Sequence, residues 1–152
     1  MSNRISPPMD DVYEEESDNW ITYNSADTRI INEQVIHNNV RFNNINNVIV
    51  DNIICSGIIE FNNCGIVSIR DGYFEDLLFY SSDGILKNVS QVMNIYLNNS
   101  RVVLYDSYVK GSLNVKDASI LKLQDSGIEQ SINIESSVDS EIRLLGIRQI
   151  ID

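Results

Sequence analysis

The sequence predicts an all-β chain wound into about seven stacked coils with an 18–19-residue repeat. Three observations predict it: a residue bias, a recurring pair of apolar columns, and a turn former at a fixed place after them. The 152 residues include 23 Ile and 19 Asn, but only 7 Gly and 2 Pro. Ile is β-branched and favours strands, whereas Asn tolerates tight and left-handed turns. The length suits a single domain, and 43% hydrophobic with 22% charged residues excludes a wholly disordered chain.

From Ile21 onward, seven segments align almost without gaps: 21–39, 40–58, 59–76, 77–94, 95–112, 113–131 and 132–152. Their first column reads Ile21, Val40, Ile59, Leu77, Ile95, Leu113 and Ile132, and their third reads Tyr23, Phe42, Phe61, Phe79, Leu97, Val115 and Ile134. The residue between them varies freely, which is the alternation of a strand with one buried face. The fifth column is Ser25, Asn44, Asn63, Ser81, Asn99, Asp117 and Ser136, all small polar turn formers. The sixth is mostly small. A second apolar run follows in each segment (RII, VIV, VSI, GIL, VVL, LKL, EIR), and a weaker apolar position recurs near Val35, Ile54, Tyr73, Val92, Val109 and Ile128.

One such segment cannot bury its apolar side. Stacked copies can, because equivalent positions then lie one above another at about 4.8 Å. Seven coils at that spacing give a rod about 30 Å long. The apolar columns become interior ladders, and Asn or Ser turned inward at the corners is expected to form hydrogen-bonded ladders along the axis.

Over residues 21–150 this pattern resembles a right-handed parallel β-helix. The asparagine stack resembles the turn ladder of pectate-lyase-type helices. The small size and short coils resemble bactofilins, which are richer in Gly. The strand starts fall at uneven steps, unlike the six-residue period of left-handed acyltransferase helices, and the central Leu or Phe of pentapeptide repeats is absent.

Residues 1–19 differ in composition, with Asp10, Asp11, Glu14, Glu15, Glu16 and Asp18 against Arg4 alone. They read as an acidic, flexible N-terminal tail preceding a β-helix domain over 20–152. A sharper reading makes the segment a docking peptide, in which Met9, Val12, Tyr13 and Trp20 anchor on a partner or cover one end of the fold.

The net charge of −11 argues against direct binding to nucleic acid, whose affinity rests on phosphate neutralisation by Lys and Arg. No stretch of 18 apolar residues offers a membrane span, and the N-terminal residues lack the apolar core of a signal peptide. A cytoplasmic or virion location is the corresponding expectation. Cys55 and Cys64 read as two buried thiols of a reducing compartment, not as a disulfide framework. His37 is the single histidine, so no triad or histidine-rich metal site can be built; it reads as a corner residue. The sequence assigns no catalytic residue, metal or cofactor. Its best carboxylate cluster is Asp71, Glu75 and Asp76, with Arg70 adjacent and Asp51 one coil below. That cluster reads as a solvated corner in which Asp-Gly makes the turn.

Alternation places Leu78, Tyr80 and Tyr96 together on the outside of one strand set, and Ile30, Ile49, Leu86 and Val103 on the outside of another. Monomers rarely expose large contiguous apolar patches, so these seven residues are expected to bind a partner. The functional expectation is a non-enzymatic structural or adaptor protein that forms a homo-oligomer or joins a larger assembly, as a virion component or a bactofilin-like scaffold. Two rivals belong to other classes. One is an acidic decoy that binds a nucleic-acid-binding protein through phosphate-like charge. The other is a carbohydrate-active or sugar-binding module using Asp71 and Glu75.

Overall fold

The computed structural model describes residues 13–17, 19–135, 141–145 and 148–149, with side chains over 19–133. Among the described residues, fourteen strands make up a single sheet. In chain order they are β1 (Tyr13–Ser17), β2 (Trp20–Ile36), β3 (Asn39–Asn62), β4 (Ile66–Tyr80), β5 (Asp83–Lys87), β6 (Gln91–Asn98) and β7 (Arg101–Tyr105). They continue as β8 (Tyr108–Val109), β9 (Ser112–Lys116), β10 (Ile120–Gln124), β11 (Gly127–Ile128), β12 (Ser131–Glu135), β13 (Glu141–Leu145) and β14 (Arg148–Gln149). From β2 onward every pairing is parallel, and each strand lies over its equivalent one coil away. The result is a parallel β-solenoid of about six turns with a repeat of about 19 residues. The expected seventh coil is described only through β12, β13 and β14.

The backbone turns at two left-handed corners per coil. The first is made by Ser25, Asn44, Asn63, Ser81, Asn99 and Asp117, and the second by Glu33, Asn52, Asp71, Asn88, Asp106 and Asp125. All twelve have φ between 39° and 56°. Asn, Asp and Ser reach that region at modest cost because a short polar side chain can bond locally, whereas branched residues cannot. Glu33 is the one long side chain among them.

Between corners, alternation fills the interior. Val40, Ile59, Leu77, Ile95 and Leu113 are buried in one ladder, and Val50, Ile69, Leu86, Leu104 and Leu123 in another. The rings of Tyr23, Phe42, Phe61 and Phe79 stack in one pile with centroids 5.2, 5.4 and 4.9 Å apart. Each stacked pair is worth about 0.5–1.5 kcal/mol beyond its burial.

The pile ends where Gly84 begins. A Cβ at Gly84 would stand 2.6 Å from Phe79 Cε2, so the ring occupies the space of the missing side chain. Val67 precedes Gly84 in register and Val102 follows it, and the coil of Val102 carries Leu97 in place of the ring. Gly84→Val is therefore expected to cost about 1–3 kcal/mol through overpacking. Adding Phe79→Leu should recover most of that loss, as read by urea unfolding of the two variants. Equal instability of the single and double variants would show that ring and glycine are uncoupled.

The expected polar ladders form, but the two residue types divide between the faces. The asparagines stack on the outside: Asn43 Nδ2 donates to Asn24 Oδ1, Asn62 Nδ2 to Asn43 Oδ1 and Asn63 Nδ2 to Asn44 Oδ1, each at 2.9 Å. The inward ladders are serine. The Ser82 amide donates to Ser100 Oγ at 3.0 Å, the Ser100 amide to Ser119 Oγ at 3.0 Å, and the Ser107 amide to Ser126 Oγ at 3.2 Å. The Ser82, Ser100, Ser107 and Ser126 hydroxyls each donate to a carbonyl two residues back at 2.9–3.0 Å. A hydroxyl thus satisfies one buried donor and itself, whereas an inward carboxamide would bring further polar atoms that the apolar interior cannot pair.

Part of the expected N-terminal tail is a strand. Tyr13–Ser17 runs antiparallel to Trp20–Asn24, with Tyr13 opposite Asn24 and Ser17 opposite Trp20. An edge strand need bury neither of its charged flanks, so an acidic composition is compatible with ordered pairing. Residues 1–12 lie outside the described residues.

Candidate functional site: apolar ladders on the outer surface

The same alternation that fills the interior also sets the outer columns. One runs Ile30, Ile49, Ser68, Ile85, Val103 and Lys122, each beside the next in register. Ile30 is 53% exposed, Ile49 and Ile85 are exposed, and Val103 is half-buried. Ser68 is short, so the column dips between Ile49 and Ile85 into a depression of about 310 Å³. Asp51, Arg70 and Lys87 line it together with those side chains, and Arg70 Nη2 lies 3.7 Å from Asp51 Oδ2 across the coil step.

Leu86, expected here as an outward residue, is instead fully buried. The corner at Ser81–Ser82 is one residue shorter than the preceding corner, so Asp83 pairs with Ile66 and Leu86 with Ile69. Counting forward from Phe79 at the earlier spacing overshoots by one, and a one-residue slip moves a side chain to the opposite face. Ile85 is the outward residue of that coil.

On the adjacent sheet face, Leu78 is half-buried beside exposed Tyr96, and exposed Tyr80 lies beside Asn98. The two tyrosines stand on successive coils at alternate outward positions. A notch of about 280 Å³ lies against Tyr80, Tyr96, Asn98, Asn114 and Lys116. Burial and the nearby Glu60 carboxylate push the Tyr80 hydroxyl up from its ordinary pKa. Glu60 in turn accepts from Arg41 Nε at 2.7 Å and from Asn62 Nδ2 at 2.6 Å.

A third outward column lies beyond the second corner. Val35, Ile54 and Tyr73 are successive partners in register, and Val35 is 59% and Tyr73 51% exposed. The weak apolar position of the repeat merges two columns here. Val92 and Val109, grouped with these residues by sequence, are buried because Val92 pairs with Phe74 and Val109 with Val92. The separating signal was available in Ile36 and Cys55, the buried neighbours of Val35 and Ile54.

The carboxylates do not converge into an obvious centre. Asp71 occupies a left-handed corner, Glu75 is exposed, and Asp76 accepts from Asn94 Nδ2 at 3.0 Å. His37 Nδ1 lies 3.2 Å from Ser56 Oγ at the coil surface. Cys55 and Cys64 are free and buried, and burial raises both thiol pKa values, which keeps them protonated and weakly nucleophilic. Among the described residues, no three His, Cys, Asp or Glu side chains group as metal ligands, and no helix is long and apolar enough to cross a membrane.

The molecule is thus a parallel β-solenoid bearing two outward columns rich in apolar residues and, on the adjacent face, the pair Leu78 and Tyr96 near Tyr80. Comparison of the chain with protein-family models, with curated proteins and with solved structures found no match.

Proposed function

We propose that the protein is a non-enzymatic structural or adaptor solenoid that associates side by side, with copies of itself or within a larger assembly such as a virion or a scaffold. The observation that supports this is the outward column in which Ile30 and Ile49 stand on one side of Ser68 and Ile85 and Val103 on the other, flanked around the second corner by Val35, Ile54 and Tyr73. Apolar side chains repeated at coil spacing along a rigid face form an extended patch, and such patches on soluble proteins mark association surfaces. The solenoid supplies the rigidity, since each coil is pinned to its neighbours by parallel backbone pairing.

Sedimentation of the full chain should show mass rising with concentration, in a manner insensitive to moderate salt. Ile49→Lys is expected to weaken association about tenfold or more, because a lysine in the centre of an apolar contact must be desolvated. A full chain that stays monomeric across the accessible concentration range would remove the proposal. Salt-labile capture of a basic, DNA-binding partner would favour the acidic-decoy reading in its place.

A further inference from the structure

The N-terminal end of the solenoid differs from a mere interruption of the repeat. Its first coil, β2, offers two hydrogen-bonding edges, one of which pairs with β3 along most of its length. The other edge pairs over Trp20–Asn24 with β1, the single antiparallel partner among the described strands, which otherwise pair in parallel. A parallel stack propagates by adding strands in the same direction, so an antiparallel strand over Trp20–Asn24 occupies that part of the edge and breaks the direction of growth there. The β1 sequence, YEEES, also brings three successive glutamates to that edge. Charge on an edge strand is a recurrent defence against further pairing.

A second feature lies in the column behind that edge. Val48, Val67, Gly84, Val102 and Leu121 occupy one buried register position in successive coils, and Arg29 holds it in the first. The Arg29 guanidinium lies 4.3 Å from the centroid of Tyr23, the first ring of the aromatic pile. Arg41 similarly covers Trp20 at 4.1 Å. An arginine is tolerated on the last layer of a core, where one side still faces solvent. A coil stacked on top would enclose its charge and remove the solvent that stabilises it.

At the far end, β12, β13 and β14 pair with β9, β10 and β11. Among the described residues, their other edges carry no strand. These strands repeat the register of the coil before them, so a first coil stripped of its cap would meet a matching edge on a second copy. Such head-to-tail contact does not close on itself and grows as a filament.

We infer that β1 and Arg29 form a terminating cap, which restricts association to the sides of the rod and whose removal makes the first coil a docking edge for the last coil of a second copy. The test compares the full chain, a chain lacking residues 1–18, and that truncation carrying Arg29→Val, all with Ile49→Lys to suppress lateral contacts. Circular dichroism confirms folding, and light scattering with electron microscopy reads mass and length. The truncated chain is expected to form rods whose length rises in multiples of one copy and whose mass at least about doubles with concentration, and Arg29→Val should enhance this severalfold. The full chain should not lengthen. Should truncation unfold the protein, full-length Glu15→Pro serves instead, since proline removes a backbone donor of β1 while leaving the rest of the chain intact. A folded uncapped variant with the same mass and length as the full chain overturns the inference. Widening without lengthening overturns it equally, and is the mark of lateral association alone.

Discussion

Phe61→Ala should lower stability by about 3–5 kcal/mol and Tm by on the order of 10 °C, read by thermal and urea unfolding. Phe61 lies in the middle of the aromatic pile, fully buried, with Phe42 on one side at 5.4 Å and Phe79 on the other at 4.9 Å. Truncation removes a buried ring and leaves a cavity bounded by two other rings. Parallel pairing on both sides holds those coils at fixed spacing, so the void cannot close by collapse. Tyr23→Ala, at the end of the pile, should cost less because only one ring covers it from within. Equal losses at the two positions would indicate that the rings contribute through burial alone and not through the stack.

Gly72→Ala should destabilise the protein by about 2–4 kcal/mol, although it adds a single methyl group. Gly72 has φ of 109°, outside the region that residues with a Cβ occupy comfortably. A Cβ there would stand 2.2 Å from the carbonyl oxygen of Ile53, its partner in the neighbouring coil. That oxygen belongs to backbone within a parallel ladder and cannot swing aside as a flexible side chain would. Relief requires the coils to part locally. The adjacent corner is the control: Asp71→Asn keeps a residue suited to φ of 55° and should change stability by less than about 0.5 kcal/mol in the same unfolding assay. A Gly72→Ala protein as stable as the parent would show that this coil step can open without loss.

Much of the architecture was legible because the repeat is short and its columns are chemically pure. Phe42, Phe61 and Phe79 announce their vertical pile by spacing alone, and Asn44, Asn63 and Asn99 announce a corner by tolerating positive φ. Legibility failed where two columns share a chemical character. Ser, Asn and Asp fill the fifth column and serine recurs in the sixth at Ser82 and Ser100, yet the described fifth-column residues face solvent whereas those two serines face the core. Composition cannot separate them, since the difference lies in which way the chain leaves a left-handed residue. The outward surface was readable at Ile30, Ile49, Tyr80 and Tyr96, all of which are exposed. It was misread at Leu86, where counting forward from Phe79 overshoots a corner one residue shorter, although aligning GIL with VIV and VVL sets Ile85 in the outward place. β1 was hidden for another reason: its glutamates resemble those of a solvated tail, and pairing to Trp20–Asn24 is a long-range fact that local composition does not carry.

The corners also govern how the chain can vary in length. Among the described residues, extra residues enter the solenoid at its bends: the corner at Asp117 carries a second positive-φ residue, Ala118, and a register shift between Cys55 and Ile58 marks a further bend beyond the Asn52 corner. Small insertions are therefore absorbed at the bends, while gain or loss of a whole turn leaves every remaining neighbour in place. Duplication within the gene would lengthen the particle in increments of one layer, so reach is a heritable dimension that can be altered without redesigning the interior.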